Sequence, residues 1–462
     1  MIHIIGGGLA GCEAAWQSTL LGVPVTLHEM RPQRPTAVHK TDRLAELVCS
    51  NSFRGDKLDN AVGLLKEEMR NLNSLIMRAA DASRVPAGTA LAVDRERFAQ
   101  VVTELIEGHP LVTLVREEVL RVPKTRPLII ATGPLTTGTF FRDVATLIGS
   151  KQLYFYDAIS PIVLAETINH SRVFRASRWN KNSQSVIGSK KTISPLDSST
   201  IAVGCGADDG QGDYLNCPLT KEDYDLFYGA LIRAESATVH DFDKNLFFEG
   251  CLPIEVMAHR GEDTLRFGPM KPVGLIDPRT GLKPYAVVQL RQDNLAGDHY
   301  SLVGFQTQLK WSEQARILRM IPGLESVEFV RFGMVHRNTY INGPTVLRET
   351  WQMKEFPDLF FAGQISGVEG YVESAASGLV AGRNAAGLVL GQAPRTRPLE
   401  TAIGALSDYV ANAGAGNYQP TNITFGILPP LSKAPRRRHD RRMALSARAL
   451  ATLNEWQIMA NT

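Results

Sequence analysis

Two kinds of residue in this chain could do chemistry: glycines that bring backbone close to a phosphate, and thiols. Gly6-x-Gly8-x-x-Gly11 follows the apolar run Ile2-His3-Ile4-Ile5 and opens a helical pattern from about Ala10 to Leu21. In that setting the first glycine permits the turn, the second lets backbone approach a pyrophosphate, and the third lets helix meet strand. The phosphate then rests on the helix N-terminus. Eighteen residues beyond Gly11 a second strand-like run, Val25 to His28, ends at Glu29. Its carboxylate is placed to accept hydrogen bonds from ribose hydroxyls. Gly6, Gly7, Gly8, Leu9, Ala10, Gly11 and Glu29 are therefore expected to hold the ADP half of a dinucleotide. FAD, NAD and a methyl donor such as S-adenosylmethionine all use a unit of this kind, so these residues alone leave the ligand open.

The thiols are Cys12, Cys49, Cys205, Cys217 and Cys251. They form no C-x-x-C pair, and an odd number without a secretory signal speaks against a disulfide framework. A cysteine becomes a nucleophile only as thiolate, which needs a positive, partly exposed setting or a nearby base. Cys49, in Glu46-Leu47-Val48-Cys49-Ser50-Asn51-Ser52, and Cys251, in Phe247-Phe248-Glu249-Gly250-Cys251-Leu252-Pro253, both flank a change of backbone direction and are the candidates. Cys12, beside Gly11 on the first helix, reads as packing; Cys205 and Cys217 are not candidates.

The elements that must position these groups follow from pattern. A chain of 462 residues has material for two or three domains, and a hydrophobic fraction of 44% allows a sizeable core. With 21% charged residues and a net charge of +3, the global balance neither requires nor excludes a nucleic-acid partner. The N-terminus enters a strand without a basic and apolar leader, and no apolar run approaches the roughly 18 residues of a membrane span. A cytoplasmic protein without a membrane is expected. Residues 1–155 alternate strands and helices, with helices around Asn60–Ala80 and Arg95–Glu107 and a strand Leu128–Ala131. Residues 156–330 are irregular, with strands such as Tyr285–Leu290 and Leu302–Phe305, and read as an inserted α+β domain. Residues 331–395 return to α/β, with strand Leu359–Ala362, a glycine-rich loop and a small-residue helix from about Ser374 to Leu390. A basic segment, 396–462, closes the chain. Residues 182–212, rich in Ser, Gly and Lys, read as an exposed excursion.

The Ala131-Thr132-Gly133 turn and the strand end Phe361-Ala362-Gly363 resemble the second and third contact points of two-domain flavoproteins, in which a C-terminal segment returns to complete the first domain. The expected fold is thus α/β, a Rossmann-like FAD-binding domain with an inserted α+β domain. More specific blocks are His-Lys-Thr-Asp at 39–42, Ala-Glu-Leu-Val-Cys-Ser-Asn-Ser at 45–52, Leu-Lys-Glu-Glu-Met-Arg at 65–70 and Val-Pro-Ala-Gly at 85–88. They continue with Tyr-Leu-Asn-Cys-Pro at 214–218, Phe-Gly-Pro-Met-Lys-Pro-Val-Gly-Leu at 267–275 and Val-Val-Gln-Leu-Arg-Gln at 287–292. The last are His-Arg-Asn-Thr-Tyr at 336–340 and Gly-Val-Glu-Gly-Tyr-Val-Glu-Ser-Ala-Ala at 367–376. Over residues 2–430 the chain resembles the bacterial folate- and FAD-dependent tRNA (uracil-5-)-methyltransferases, relatives of the GidA flavoproteins. It departs from them in the length of the 182–212 excursion, in Val38 before the histidine, and in Cys12 where serine is usual.

The resemblance implies that 5,10-methylenetetrahydrofolate supplies a carbon, reduced FAD regenerated by NAD(P)H supplies electrons, and uracil C5 at position 54 of the tRNA T loop receives a methyl group. It makes Cys251 the residue that bonds uracil and Cys49 a second essential thiol near the flavin. Gly133 and Gly363 become flavin contacts. Glu369 and Tyr371, in the glycine-flanked loop, become candidates to bond and stack on a pterin. His336 and Arg337, ending a strand-like run, stay outside the catalytic set. For RNA the densest positive run is Lys433 to Arg442, with Arg172, Arg175, Arg178, Lys181, Lys190 and Lys191 as a further cluster. No stable protein partner and no metal are inferred. The alternatives are a related enzyme acting on ribosomal RNA or the wobble uridine, and a non-catalytic flavin-binding RNA chaperone.

Overall fold

A computed structural model of the chain describes residues 1–36, 38–136, 138–149, 153–180, 212–236, 247 and 252–461. In chain order the strands are β1 (Ile2–Ile5), β2 (Val25–His28), β3 (Ser52–Gly55), β4 (Arg84–Val85), β5 (Ala90–Val93), β6 (Val112–Val115), β7 (Leu128–Ile130) and β8 (Leu153–Ala158). They continue as β9 (Ile162–Leu164), β10 (Phe174–Arg175), β11 (Tyr214–Leu219), β12 (Ala286–Gln292), β13 (His299–Leu302), β14 (Phe329–Arg331), β15 (Val335–Tyr340) and β16 (Leu359–Phe361). The longer helices are α1 (Leu9–Thr19), α2 (Ala61–Asn71), α3 (Leu75–Ala82), α4 (Arg95–Glu107), α5 (Gly138–Ile148), α6 (Lys221–Ile232), α7 (Trp311–Leu318), α8 (Tyr371–Val389), α9 (Ala402–Asn412) and α10 (Arg438–Asn461).

β7 and β16 are short apolar runs buried on both faces, and β1 is buried except at the half-buried His3, which suits parallel strands covered by helices. They join β2 and β6 in a five-stranded sheet, ordered β16–β7–β1–β2–β6, in which every neighbouring pair is parallel. The edge strand β16 pairs Leu359 with Leu128 and Phe361 with Ile130, so the returning segment completes the first sheet. The same segment supplies α8, which crosses α1 at very close range. A side chain at Gly378 or Gly382 would run into the backbone of Ala10 or Ala14, and Ser18 Oγ donates to Gly382 O at 3.1 Å. Small residues are what let the two backbones approach.

A second sheet, β10–β11–β12–β13–β9–β14, pairs antiparallel throughout and has its own apolar cluster, including Leu215, Val288, Leu302, Phe227 and Ile317. β8 and β15 form an antiparallel pair between the two sheets in sequence. No helix among the described residues is long and apolar enough to cross a membrane.

Four expectations on element bounds are corrected. The helix expected over Asn60–Ala80 is two, α2 and α3, because Asn73 takes a left-handed φ of 57° and Ser74 caps the second helix, accepting from Met77 N at 3.2 Å. The strand expected over Leu302–Phe305 is β13, lying upstream and pairing with β12 and β9. His336 and Arg337 begin β15 and do not end it. Helix α8 starts at Tyr371, one turn earlier than Ser374, capped by Gly370 at φ 105°, so Tyr371 belongs to the helix and not to the loop. The excursion at 182–212 lies outside the described residues except Gly212.

Candidate active site

A cleft opens along the C-terminal ends of the parallel strands, where ligands of open α/β sheets bind. Gly6, Gly7, Gly8, Leu9 and Ala10 line its floor, Gly133 and Gly363 lie further along, and Tyr371 and Ser374 stand at the far end. Gly6 has φ 105°, and a side chain there would strike the Ala131 carbonyl. Gly8, the N-cap of α1, carries no side-chain cap, and a Cβ on it would meet nothing. The first-turn N–H groups of α1 are thus left for an anion. Gly11 does not line the cleft; a side chain there would collide with Gly6 O, so its part is to let helix meet strand.

Glu29 closes the other end. Its Oε2 accepts from Gly7 N at 2.9 Å, and its Oε1 accepts from Arg31 N at 3.0 Å and Arg31 Nε at 2.8 Å. Burial pushes this carboxyl up, but the Arg31 hydrogen bond and charge and the backbone donors outweigh it and hold it below the ordinary carboxylate range. Oε2 keeps a lone pair for a ribose hydroxyl. Arg31 and His39, both cleft residues, were not singled out from sequence. Arg31 also reaches Glu46 Oε2 at 3.2 Å, and His39 Nδ1 lies 2.6 Å from Thr36 Oγ1. Burial, with the Arg31 charge, pushes His39 down to about 4, so its ring is neutral at pH 7. The arginine two residues after the acid and the His-Lys-Thr-Asp block were the available signals.

Cys49 sits one residue beyond the cleft residue Val48. Its N–H and that of Ser50 donate to the Tyr371 hydroxyl at 2.8 and 3.1 Å, and its thiol Sγ donates a long contact to Ala158 O at 3.9 Å. Burial pushes the Tyr371 phenol up and keeps it protonated. On the opposite side the loop carbonyls face arginines. Arg331 donates to Val48 O and Cys49 O, both at 3.0 Å, while Arg95 donates to Leu47 O at 2.9 Å and Cys49 O at 3.4 Å. Arg291 holds Asn51 Oδ1 at 2.8 Å and Ser50 Oγ at 2.9 Å. Asp293 pairs with Arg95 at 2.9 Å. None of these arginines was picked out by sequence reasoning.

The structure therefore brings Tyr371, Gly363, Gly133, Gly6 to Ala10 and Glu29 around one cleft, with Cys49 next to its lining residue Val48 and hydrogen-bonded to Tyr371. Glu369 is buried one layer behind, its carboxylate taking the amide of the cleft residue Gln364. Cys251 lies outside the described residues; three residues further on, Ile254 N donates to Gln306 O at 2.7 Å. Cys12 and Cys217 are fully buried, and burial pushes both thiols far up, as packing residues require.

Arg436, Arg437, Arg438 and Arg441 are exposed at the start of α10. That helix lies against the turn after β3, with Ser446 Oγ donating to Leu58 O at 2.6 Å. In the second basic cluster Arg172 is exposed and paired with Glu325, Arg175 is exposed and donates to the Tyr300 hydroxyl, and Arg178 braces Gln289 and two backbone carbonyls. Lys181, Lys190 and Lys191 lie outside the described residues.

An uncapped helix start, an acid after the second strand and a returning segment that closes the sheet define a two-domain dinucleotide-binding protein of the flavoprotein type, and the cleft's donors suit FAD. Residues 1–393 match the family described as glucose inhibited division protein A. Proteins named methylenetetrahydrofolate--tRNA-(uracil-5-)-methyltransferase TrmFO are similar along nearly the whole chain. That of Heliobacterium modesticaldum is 55% identical over 98% of this chain and 97% of its own length. That of Geobacter sulfurreducens is 54% identical over 98% of each. The crystal structure of Aquifex aeolicus GidA superposes with a TM-score of 0.67, at 18% identity over 98% of this chain and 73% of that one, which supports the fold. The chain belongs to the GidA family and, within it, to the TrmFO proteins.

Proposed function

We propose that the protein methylates uridine at C5 in the tRNA T loop, position 54, with 5,10-methylenetetrahydrofolate as carbon donor and NAD(P)H as the source of reducing equivalents, in the cytoplasm. The observation that carries this reading is the placement of Cys49 beside Tyr371 at the far end of a dinucleotide cleft, in a chain more than half identical to TrmFO proteins. Bound FAD, once reduced, supplies the electrons that convert a transferred methylene to methyl. Gly6 to Ala10 and Glu29 hold its ADP half, and Gly133, Gly363 and Tyr371 flank the remainder. Glu369, through Gln364, orders the wall beside the pterin.

Uracil C5 is a poor nucleophile. In this reading the Cys251 thiolate adds to C6 and creates an enolate whose charge lets C5 attack the methylene, which parts from tetrahydrofolate; the C5 proton is lost, and the thiolate leaves as the methylene is reduced to methyl. Cys49 is the second thiol, on the flavin side. A base in a folded loop must be flipped out to be reached, and the exposed arginines at the start of α10 are suited to holding the flanking phosphates. The test is to incubate purified protein with unmodified tRNA, NADPH or NADH and methylene-labelled methylenetetrahydrofolate, then locate the label. Label on C5 of the T-loop uridine supports the reading. Label in another RNA position, or transfer only from S-adenosylmethionine, overturns it.

A further inference from the structure

We propose that Arg95, Arg291 and Arg331 hold Cys49 as a thiolate; the inference rests on reading Cys49 as an active-site thiol. Three guanidiniums converge on residues 47–51 from different elements: α4, β12 and β14. Among the described residues the charged groups in contact with the loop are these three, the Asp293 carboxylate paired with Arg95, and Glu46, which is engaged by Arg31, Lys40 N and Thr41. The Tyr371 phenol is neutral. Among the described residues the arginines thus exceed their one carboxylate partner by two charges at a largely buried seam. Asp293 is 6% exposed and Arg95 15%.

Burying unbalanced charge is costly unless an opposite charge arrives. Arg331 Nε is itself buried and has no hydrogen-bond partner among the described residues. The Cys49 thiol, on the residue whose carbonyl both Arg95 and Arg331 hold, is a group able to become that anion. Arg95 and Arg331 both donate to the Cys49 carbonyl, and covalent geometry keeps Sγ within roughly 3–5 Å of that oxygen. A charge on Cys49 strengthens the protonation of all three arginines, and by reciprocity their charges favour its ionisation. Ionisation gives up the long S–H contact to Ala158 O, releases that proton to water and lowers the surplus by one. Cys12 and Cys217 differ in being fully buried, and that burial is what keeps their thiols protonated despite arginines in their surroundings.

The test is the pH dependence of iodoacetamide alkylation at the Cys49 peptide, read by mass spectrometry on the purified chain. The midpoint reports ionisation, whereas the limiting rate also reports access. The expected wild-type midpoint is at least about one pH unit below the free-cysteine value of about 8.5. Arg331→Gln raises the midpoint by about one unit, Arg331→Lys restores most of it, and Asp293→Asn, which removes the counter-charge, lowers it further. Loss of packing alone does not shift the two neutralised sites in opposite directions. A wild-type midpoint at or above about 8.5 overturns the proposal. So does a midpoint unmoved by Arg331→Gln in a chain with wild-type circular dichroism. If Arg331→Gln does not fold, a midpoint raised or unmoved in Asp293→Asn overturns it. No methyl transfer together with a low, arginine-dependent midpoint rejects the function proposed above and supports the thiolate.

Discussion

Glu29 with Arg31, and His39 with Thr36, line one part of the cleft as two hydrogen-bonded pairs, and their protonation has consequences for stability. His39 is buried neutral with its value pushed down to about 4, while an unfolded histidine titrates near 6.5. Between those limits the unfolded chain binds more protons, so stability is complete above about pH 6.5 and falls as the pH drops toward 4. His39→Gln is expected to flatten that fall. Comparing urea midpoints at pH 7 and pH 5 should show the wild type losing roughly 1–2 kcal/mol more than the variant. Equal losses would mean that His39 is not held neutral. Glu29 acts at lower pH: its depressed value contributes stability above about 4.3, lost as the pH falls through the folded value.

At the scale of elements, the crossing of α1 over α8 ties the cleft floor to its far wall. Gly378 has no room for a side chain against the Ala10 backbone, and Ala10 is also a floor residue. Gly378→Val should push the helices apart, lowering stability by about 1–3 kcal/mol, or more if the backbone cannot shift. Thermal melting would detect it, and flavin retention should fall with it; an unchanged melting temperature would contradict the close crossing. The sheet and these helices were largely legible in sequence because their signals are local: alternating apolar runs, Gly6-x-Gly8-x-x-Gly11, and small residues along 374–389. The break between α2 and α3 was not, since the apolar pattern continues through Asn73 and only the Ser74 cap marks it. The arginines around Cys49 were hidden for another reason. Arg291 and Arg331 meet the loop from 241 and 282 residues away, and a basic residue in an antiparallel strand gives no hint of what it will face.

For the whole molecule, recognition of RNA depends on local charge because the net charge is only +3. Replacing Arg436, Arg437, Arg438 and Arg441 together by alanine should weaken tRNA binding at least about ten-fold near 0.1 M salt. It should also flatten the plot of log affinity against log salt by roughly 0.7–0.9 for each phosphate that is no longer neutralised. Filter binding across a salt series measures both, and an unchanged slope would place the RNA elsewhere. The order in which the chain is made adds a further demand. β7 waits for its outer neighbour β16 while about 230 more residues are synthesised, some 10–50 s at the ribosome's pace of roughly 5–20 residues per second. During that time an apolar strand edge and the bare face of α1 are open to solvent, a template for pairing with another nascent chain. The second sheet, whose strands all lie between residues 162 and 331, can close on itself in that interval. Production of this enzyme should therefore be more sensitive to translation rate and holdase chaperones than its finished stability would suggest.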